Sequence, residues 1–535
     1  MTRLKNPVLP GFHPDPSICR VGGDFYLAAS SFAYFPGVPI FHSRDLAHWR
    51  QIGSALDRPS QLPLEGAEVS RGIFAPTIRW HGGVFYIATT NVSAGGNFLV
   101  TASDPAGPWS EPIWIEGADG IDPSLFFDDD GRCYYHGTCE RREGARYYGD
   151  NEIYLQELDL ASGRLIGERH AIWHSALRGA VWPEGPHVYK IGEWHYLLIS
   201  EGGTAHEHAI TVARSKSLTG YYEGFKGNPI LTHRHLGRDF PISNVGHGDL
   251  VQTPRGEWWM ALLASRPYGG RHRNLGRETF MAPVSWEDGW PVVSPGIGQA
   301  RLDERFPDLE PAPIAPPSLG ESDAFDFREL SAFPAGMMFL RNPVPGDYEL
   351  AGGPEGGLFM RLGNESLAGL GPVSYCCVRQ RHMSFEAQAL LRFRPESEGE
   401  GAGLAIFQSH KCHYLFLLAL KGGAPALRVA KCSAGEQSVP AERACESLLG
   451  AAFAGAVPAG GLFLRISARG QELSFSCSLD GERWAAVLEG ADARILSPDF
   501  AGGFVGATIG MHAFSGGAGA SGRRALFPEF SYRAI

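Results

Sequence analysis

Residues Gly22–Ser30 read GGDFYLAAS, and the same phrase returns as GGVFYIATT at Gly82–Thr90, DGRCYYHGT at Asp130–Thr138, GEWHYLLIS at Gly192–Ser200 and GEWWMALLA at Gly256–Ala264. Each copy is a turn followed by an aromatic strand, so the first part of the chain is a degenerate repeat. Roughly ten residues before each aromatic strand lies a second shared element. It runs Asp15-Pro-Ser-Ile, Ala75-Pro-Thr-Ile, Asp122-Pro-Ser-Leu, Glu184-Gly-Pro-His and His247-Gly-Asp-Leu, at intervals of 60, 47, 62 and 63 residues. The early copies continue into an Asp-to-Trp segment, SRDLAHW from Ser43 and ASDPAGPW from Ala102, as hairpins completing a four-stranded sheet would. Five such sheets set radially close into a propeller whose first strands line a central channel. Asp15, Ala75, Asp122, Glu184 and His247 are then expected to ring one end of that channel.

A proline-dense stretch, PDLEPAPIAPP from Pro307 to Pro317, ends the repeat. Such a segment is stiff and cannot enter a sheet interior, so it reads as a linker with a boundary near residue 315. The expected division is a propeller over 1–305, a linker over 306–320 and a second domain over 321–535. Beyond the linker the pattern alternates at period two, in MSFEAQALLRF from Met383, HYLFLLAL from His413, GLFLRISARGQELSFSCSLDG from Gly461 and ALFPEFSYRAI from Ala525. That alternation predicts a β-sandwich, making the whole chain all-β.

The bulk numbers agree. The chain has 535 residues, 44% of them hydrophobic, with 69 glycines and 38 prolines, which suits two cores built from short strands and tight turns. A net charge of −11 without clustered Lys and Arg excludes a nucleic-acid surface. No uninterrupted apolar run reaches the length of a membrane span, and the opening Met-Thr-Arg-Leu-Lys lacks the core of a secretory signal, so no membrane partner and a cytoplasmic location are expected. The nine cysteines show no metal-ligand spacing and read as reduced, buried thiols.

Carboxylates gathered at a channel mouth are what glycosidic cleavage needs: an acid of raised pKa to protonate the leaving oxygen and an ionised group opposite it. Crowding drives their pKa values apart, because like charges at close range do not all ionise. Taken singly, Asp in Asp-Pro-Ser is more often a turn former. Shared register is what distinguishes these three, since Asp15, Asp122 and Glu184 occupy one position of the repeat.

The stretch NPVLPGFHPDPSICRVGGDFYLAASSFAYFPGVPIFHSRDLAHW from Asn6 closely resembles the opening of glycoside hydrolase family 43. The resemblance continues through RGIFAPTIR from Arg71, GIDPSLFFDDDG from Gly120, WPEGPHVYKIGEWHYLLISEGGT from Trp182, VGHGDLVQTPRGEWW from Val245 and NLGRETFMAPVSWEDGWPVV from Asn274. It spans the propeller and, less distinctly, a C-terminal sandwich of the concanavalin-like jelly-roll kind found in the family's β-xylosidases and arabinofuranosidases.

Position by position, the resemblance implies Asp15 as general base, Asp122 as the residue that orients the acid and raises its pKa, and Glu184 as general acid of an inverting, exo-acting enzyme. It also implies a substrate role for Arg277, pocket-lining roles for Phe32, Phe74, Ala75, Thr204 and His247, and a pocket-closing role for Phe504 in FAGGFVG. His247 matches a histidine that in relatives faces a cation or water in the channel. A structural calcium near His247 is therefore an expectation, although one histidine is not the oxygen-rich shell calcium prefers, and the chemistry itself requires no cofactor. The implied substrate is a short oligosaccharide, with release of terminal xylose from β-1,4-xylooligosaccharides favoured. An α-L-arabinofuranosidase or dual-specificity enzyme is the alternative, because Phe74 replaces the tryptophan of the family's xylosidases. The resemblance further implies a homo-oligomer, dimer or tetramer. A sugar-binding, lectin-like protein is the rival from another class; it has no need of three carboxylates in one channel. A scaffold would carry an apolar channel mouth, and a phosphorylase a basic phosphate pocket for which Arg277 alone is thin support.

Overall fold

Each aromatic phrase becomes the second strand of an antiparallel sheet whose strands follow in sequence order. A computed structural model describes residues 3–310, 322–450, 460–516 and 522–535. Blade 1 comprises Ser17–Val21, Asp24–Ala28, Gly37–Ser43 and Arg50–Leu56; blade 2 comprises Thr77–His81, Val84–Asn91, Gly96–Ala102 and Ile113–Trp114. Blade 3 is Ile121–Phe127, Cys133–Glu140, Asn151–Asp159 and Arg164–Trp173. Blade 4 is Glu184–Ile191, Trp194–Glu201, Ala209–Ser215 and Glu223–Gly224, with Leu231–Thr232 added beside its third strand, and blade 5 is Ser243–Gln252, Trp258–Ser265, Glu278–Glu287 and Trp290–Val293.

Burial explains the sequence grammar. The second strands are covered on both faces by neighbouring blades, so Trp258–Ser265 is a near-continuous buried run, whereas in the outer strand Arg164–Trp173 only Ile172 is buried and charged residues are interspersed. The Asp-to-Trp segments are tight turns: Asp45 accepts from the backbone N–H of Ala47 and His48, and the Trp49 indole N–H donates to the Leu46 carbonyl. Each first strand contacts the first strand of the next blade, and that of blade 5 contacts that of blade 1, so the ring closes. Arg3–Lys5 pairs with Asp303–Arg305, while the Asn6 side chain bonds to Met281 and Arg301 and fastens the chain start to blade 5.

One buried side chain ties the channel together. Asp249 Oδ2 accepts from Ser17 Oγ at 2.7 Å, Ile18 N at 2.9 Å and Arg79 Nη1 at 2.9 Å, while its Oδ1 accepts from Tyr189 Oη at 2.5 Å. These partners belong to blades 1, 2 and 4, and Asp249 itself to blade 5.

Residues 322–534 form a sandwich of two sheets, each of eight strands among the described residues. The last of those strands in one sheet is contributed by the propeller: Tyr34–Phe35 pairs antiparallel with Met338–Leu340. Period-two alternation holds for Leu462–Arg469, but Cys412–Lys421 is buried at every position except Lys421. Both sets of positions in this strand are apolar: Tyr414, Phe416 and Leu418 belong to the sandwich core, while Leu415 and Leu417 belong to a second cluster with Tyr375 and Phe407 that extends to Phe12 and Phe32 of the propeller. All nine cysteines are buried and free. Of the proline-dense stretch, Asp308 is held by Glu257 and Arg255 of blade 5; the expected boundary near residue 315 lies outside the described residues.

Candidate active site

The five equivalent positions meet at one mouth of the channel. Asp15, Ala75, Asp122, Glu184 and His247 line a cavity of about 100 Å³ together with Phe32, Phe74, Ile121, Thr204, Arg277 and Phe504. Every site residue expected from the sequence is therefore brought to one pocket, and Ile121 joins them.

The backbone aims these side chains. Asp15, Asp122 and His247 have φ of 56°, 55° and 50°, and Gly185, directly after Glu184, has φ of 57°. Register shifts accompany them, between Ile121 and Ser124, between Glu184 and His187, and on either side of Gly246. A bulge at the head of an inner strand turns a side chain out of the sheet and toward the axis. Left-handed backbone at non-glycine residues is costly and concentrates where function holds it in place. Gly185 has a further reason to be glycine: a Cβ there would stand 2.9 Å from the His247 ring.

Asp15 is buried between donors. Ser30 Oγ donates to its Oδ2 at 2.6 Å, and Arg277 Nη1 donates to its Oδ1 at 2.8 Å. Burial pushes its pKa up, but the charge of Arg277, then His247 and the Ser30 hydroxyl, overcomes that, and the carboxyl is held below the ordinary aspartate value. Arg277 Nη1 also donates to Thr204 Oγ1 at 2.8 Å, so one guanidinium spans blades 1, 4 and 5.

Glu184 is the opposite case. Its side chain is 18% exposed, and no hydrogen bond holds its carboxyl among the described residues. Burial first, then the negative charges of Asp122 and Asp15, raise its pKa well above that of an ordinary glutamate, and Arg277 offsets this only in part. Asp122 is raised as well, by burial foremost and by Asp15, with His247 acting against the shift. Its Oδ2 accepts the backbone N–H of Gly185 at 3.0 Å, which anchors the peptide carrying Glu184. A carboxyl held below its ordinary value and one pushed well above it thus share one small pocket, the divergence that an acid–base pair needs.

The apolar wall consists of three phenyl rings. Phe32 stacks with Phe504 at 6.2 Å and meets Phe74 edge-on at 5.8 Å, and Phe74 meets Phe504 at 5.9 Å. Phe504 comes from the sandwich, and Ser70 of the propeller accepts its backbone N–H at 2.9 Å. Such a wall suits the apolar face of one sugar ring, with Arg277 and the acids available to its hydroxyls.

The donor set does not match a calcium ion. Among the described residues no group of three or more His, Cys, Asp or Glu side chains converges as metal ligands. The carboxylate oxygen nearest His247, Asp15 Oδ1, lies 3.9 Å from Nδ1 and is already bound by Arg277, far from the six to eight oxygens calcium takes.

Sequence reasoning passed over several residues of the site. Ser30 supports Asp15, Thr138 Oγ1 donates to the Pro183 carbonyl, and Ser200 Oγ accepts the backbone N–H of His247 at 2.6 Å. These hydroxyls end the aromatic phrase in copies one, three and four, so the repeat register held the signal. Nothing in the sequence singles out His208, which lies fully buried beside Glu184 with Nε2 3.7 Å from Glu184 Oε1.

Residues 4–291 match the family model for glycosyl hydrolases family 43, and residues 323–533 match that of the beta xylosidase C-terminal concanavalin A-like domain. A xylosidase/arabinosidase of Butyrivibrio fibrisolvens is 47% identical over 97% of this chain and 97% of its own length. A non-reducing end alpha-L-arabinofuranosidase of Bacteroides ovatus is 37% identical over 99% of this chain and 95% of its own. Among solved structures, the xylan beta-1,4-xylosidase of Bacillus halodurans C-125 superposes with a TM-score of 0.87 at 34% identity, covering 99% of this chain and 100% of that one.

Proposed function

The chain belongs to glycosyl hydrolase family 43, and from that premise we propose that it is an inverting, exo-acting β-xylosidase releasing terminal xylose from β-1,4-linked xylo-oligosaccharides. One observation supports this above the rest: a single pocket sets Asp15, held below the ordinary aspartate value by Arg277, against Glu184, which burial and its acidic neighbours push well above the ordinary glutamate value. In the proposed reaction Asp15 takes a proton from a water molecule, whose oxygen attacks the anomeric carbon. Glu184 gives its proton to the departing glycosidic oxygen as that bond breaks. Water is thereby divided between the two products, and the configuration at the anomeric carbon inverts. Asp122 keeps Glu184 protonated through its charge and placed through its bond to Gly185. Arg277 keeps Asp15 ionised, and with the phenyl wall it grips the terminal sugar.

Arabinofuranoside cleavage is the second reading. It is favoured by Phe74, a smaller ring than tryptophan, and by relatives named for arabinoside cleavage, alone or beside xylosidase activity. Initial rates on 4-nitrophenyl β-xylopyranoside and 4-nitrophenyl α-arabinofuranoside, with Glu184→Ala as control, separate the two. Faster xyloside turnover supports the first reading and dominant arabinoside turnover the second. No turnover of either, with sugar binding retained, would support a lectin instead.

A further inference from the structure

His208 is sealed into the wall behind Glu184. Its ring is fully buried, and a Cβ on Gly246 would approach it to 2.1 Å, so only glycine fits across from it. Nδ1 lies 3.1 Å from the carbonyl oxygen of Asn244. A carbonyl accepts and never donates, so Nδ1 carries the hydrogen, and in the neutral ring Nε2 carries the lone pair. Burial, more than any other cause, pushes the His208 pKa down to about 3, so the ring is neutral across the working range. Nε2 has no hydrogen-bond partner among the described residues, and the carboxyl oxygen 3.7 Å from it is Glu184 Oε1.

A buried acceptor without a donor is costly, and the group facing this one carries a donor only when protonated. We propose that His208 is a positioning residue for the general acid, its Nε2 accepting a hydrogen bond from the protonated Glu184 carboxyl and thereby disfavouring the carboxylate. The gap of 3.7 Å closes by rotation about the last torsion of Glu184, which is soft and has no hydrogen bond to break. When the leaving oxygen of a substrate arrives, the same rotation turns the proton to it. The inference rests on the reading of Glu184 as the acid.

Other charges face this pair. Asp122 and Asp15 oppose ionisation of Glu184, while Arg277 favours it. His247 and Arg277 oppose protonation of His208, and Asp15 favours it. None of them supplies an acceptor to the Glu184 carboxyl.

The test is the pH profile of kcat/KM on xylobiose for two variants. In His208→Asn the side-chain amide reproduces the Nδ1 donor to Asn244 and removes the acceptor at Nε2. In His208→Gln an amide oxygen returns to the Nε2 position. The expected result is an alkaline limb displaced about one pH unit toward acid in His208→Asn, restored in His208→Gln, with the acid limb of Asp15 unmoved in both. An alkaline limb unmoved in a folded His208→Asn variant overturns the proposal. If neither variant folds, the 15N shift of His208 Nε2 in the unaltered protein decides. A shift that changes across the alkaline limb supports the hydrogen bond, and a constant one, or an Nε2–H tautomer, refutes it. Retained activity in Glu184→Ala would instead overturn the assignment of the acid, which keeps the two failures distinct.

Discussion

Asp122 shows how one residue acts on another without touching substrate chemistry directly. It stands in left-handed backbone, it is buried, and its two contributions to Glu184 are a negative charge and a bond to the Gly185 N–H. Asp122→Asn keeps the shape and removes the charge. Because that charge raises the Glu184 pKa, its removal lets the acid ionise at lower pH. The alkaline limb of kcat/KM should move about one unit toward acid while the acid limb moves little. An alkaline limb displaced the other way would mean that Asp122 does not act on Glu184 through charge. Asp15, Ala75, Asp122, Glu184 and His247 were legible in the sequence because a repeat fixes direction as well as spacing, whereas Phe32, Phe74, Thr204, Arg277 and Phe504 were reached only through the family resemblance. His208 was legible in neither way, since its meaning depends on the tautomer imposed by the Asn244 carbonyl, a contact between blades 4 and 5.

At the scale of the strand, the blades are joined by a residue that the repeat does not single out. Asp249 follows Gly248 in the fifth repeat, yet its carboxylate gathers Ser17, Ile18, Arg79 and Tyr189 from three other blades. Burial pushes its pKa up, but Arg79 above all reverses this, so the folded carboxyl lies well below the ordinary value of 3.8. Its stabilisation is therefore present at pH values above 3.8 and is lost as pH falls through the depressed folded value. Asp249→Ala leaves the buried Arg79 guanidinium without its counter-charge and should cost about 3 kcal/mol, read as a lower denaturation midpoint at neutral pH. An unchanged midpoint would show that the clasp contributes nothing to closure. The five sheets were readable because every blade repeats one strand grammar. Covalent spacing says nothing of a carboxylate shared across the channel, so the clasp was not.

The whole molecule is a propeller and a sandwich that share a sheet. Tyr34–Phe35 completes a sandwich sheet, a common apolar cluster joins Phe12 and Phe32 to Tyr375 and Phe407, and the segment carrying Phe504 is fastened by Ser70 and by the Arg273–Asp499 pair. The alternating pattern beyond residue 321 disclosed a sandwich, but not that its strand Cys412–Lys421 is buried at every position except Lys421. Coupling of this kind predicts a single calorimetric transition for the two parts; two well-separated transitions would mean that the shared sheet does not bind their stabilities together. The pocket is lined by residues of both parts, an arrangement that suits the proposed exo action on a terminal sugar. Stereochemistry tests that account most directly. The anomeric proton of the first sugar released from an aryl β-xyloside, followed by NMR before mutarotation, should be that of α-xylose, from water activated by Asp15 on the face opposite Glu184. First release of β-xylose would contradict it.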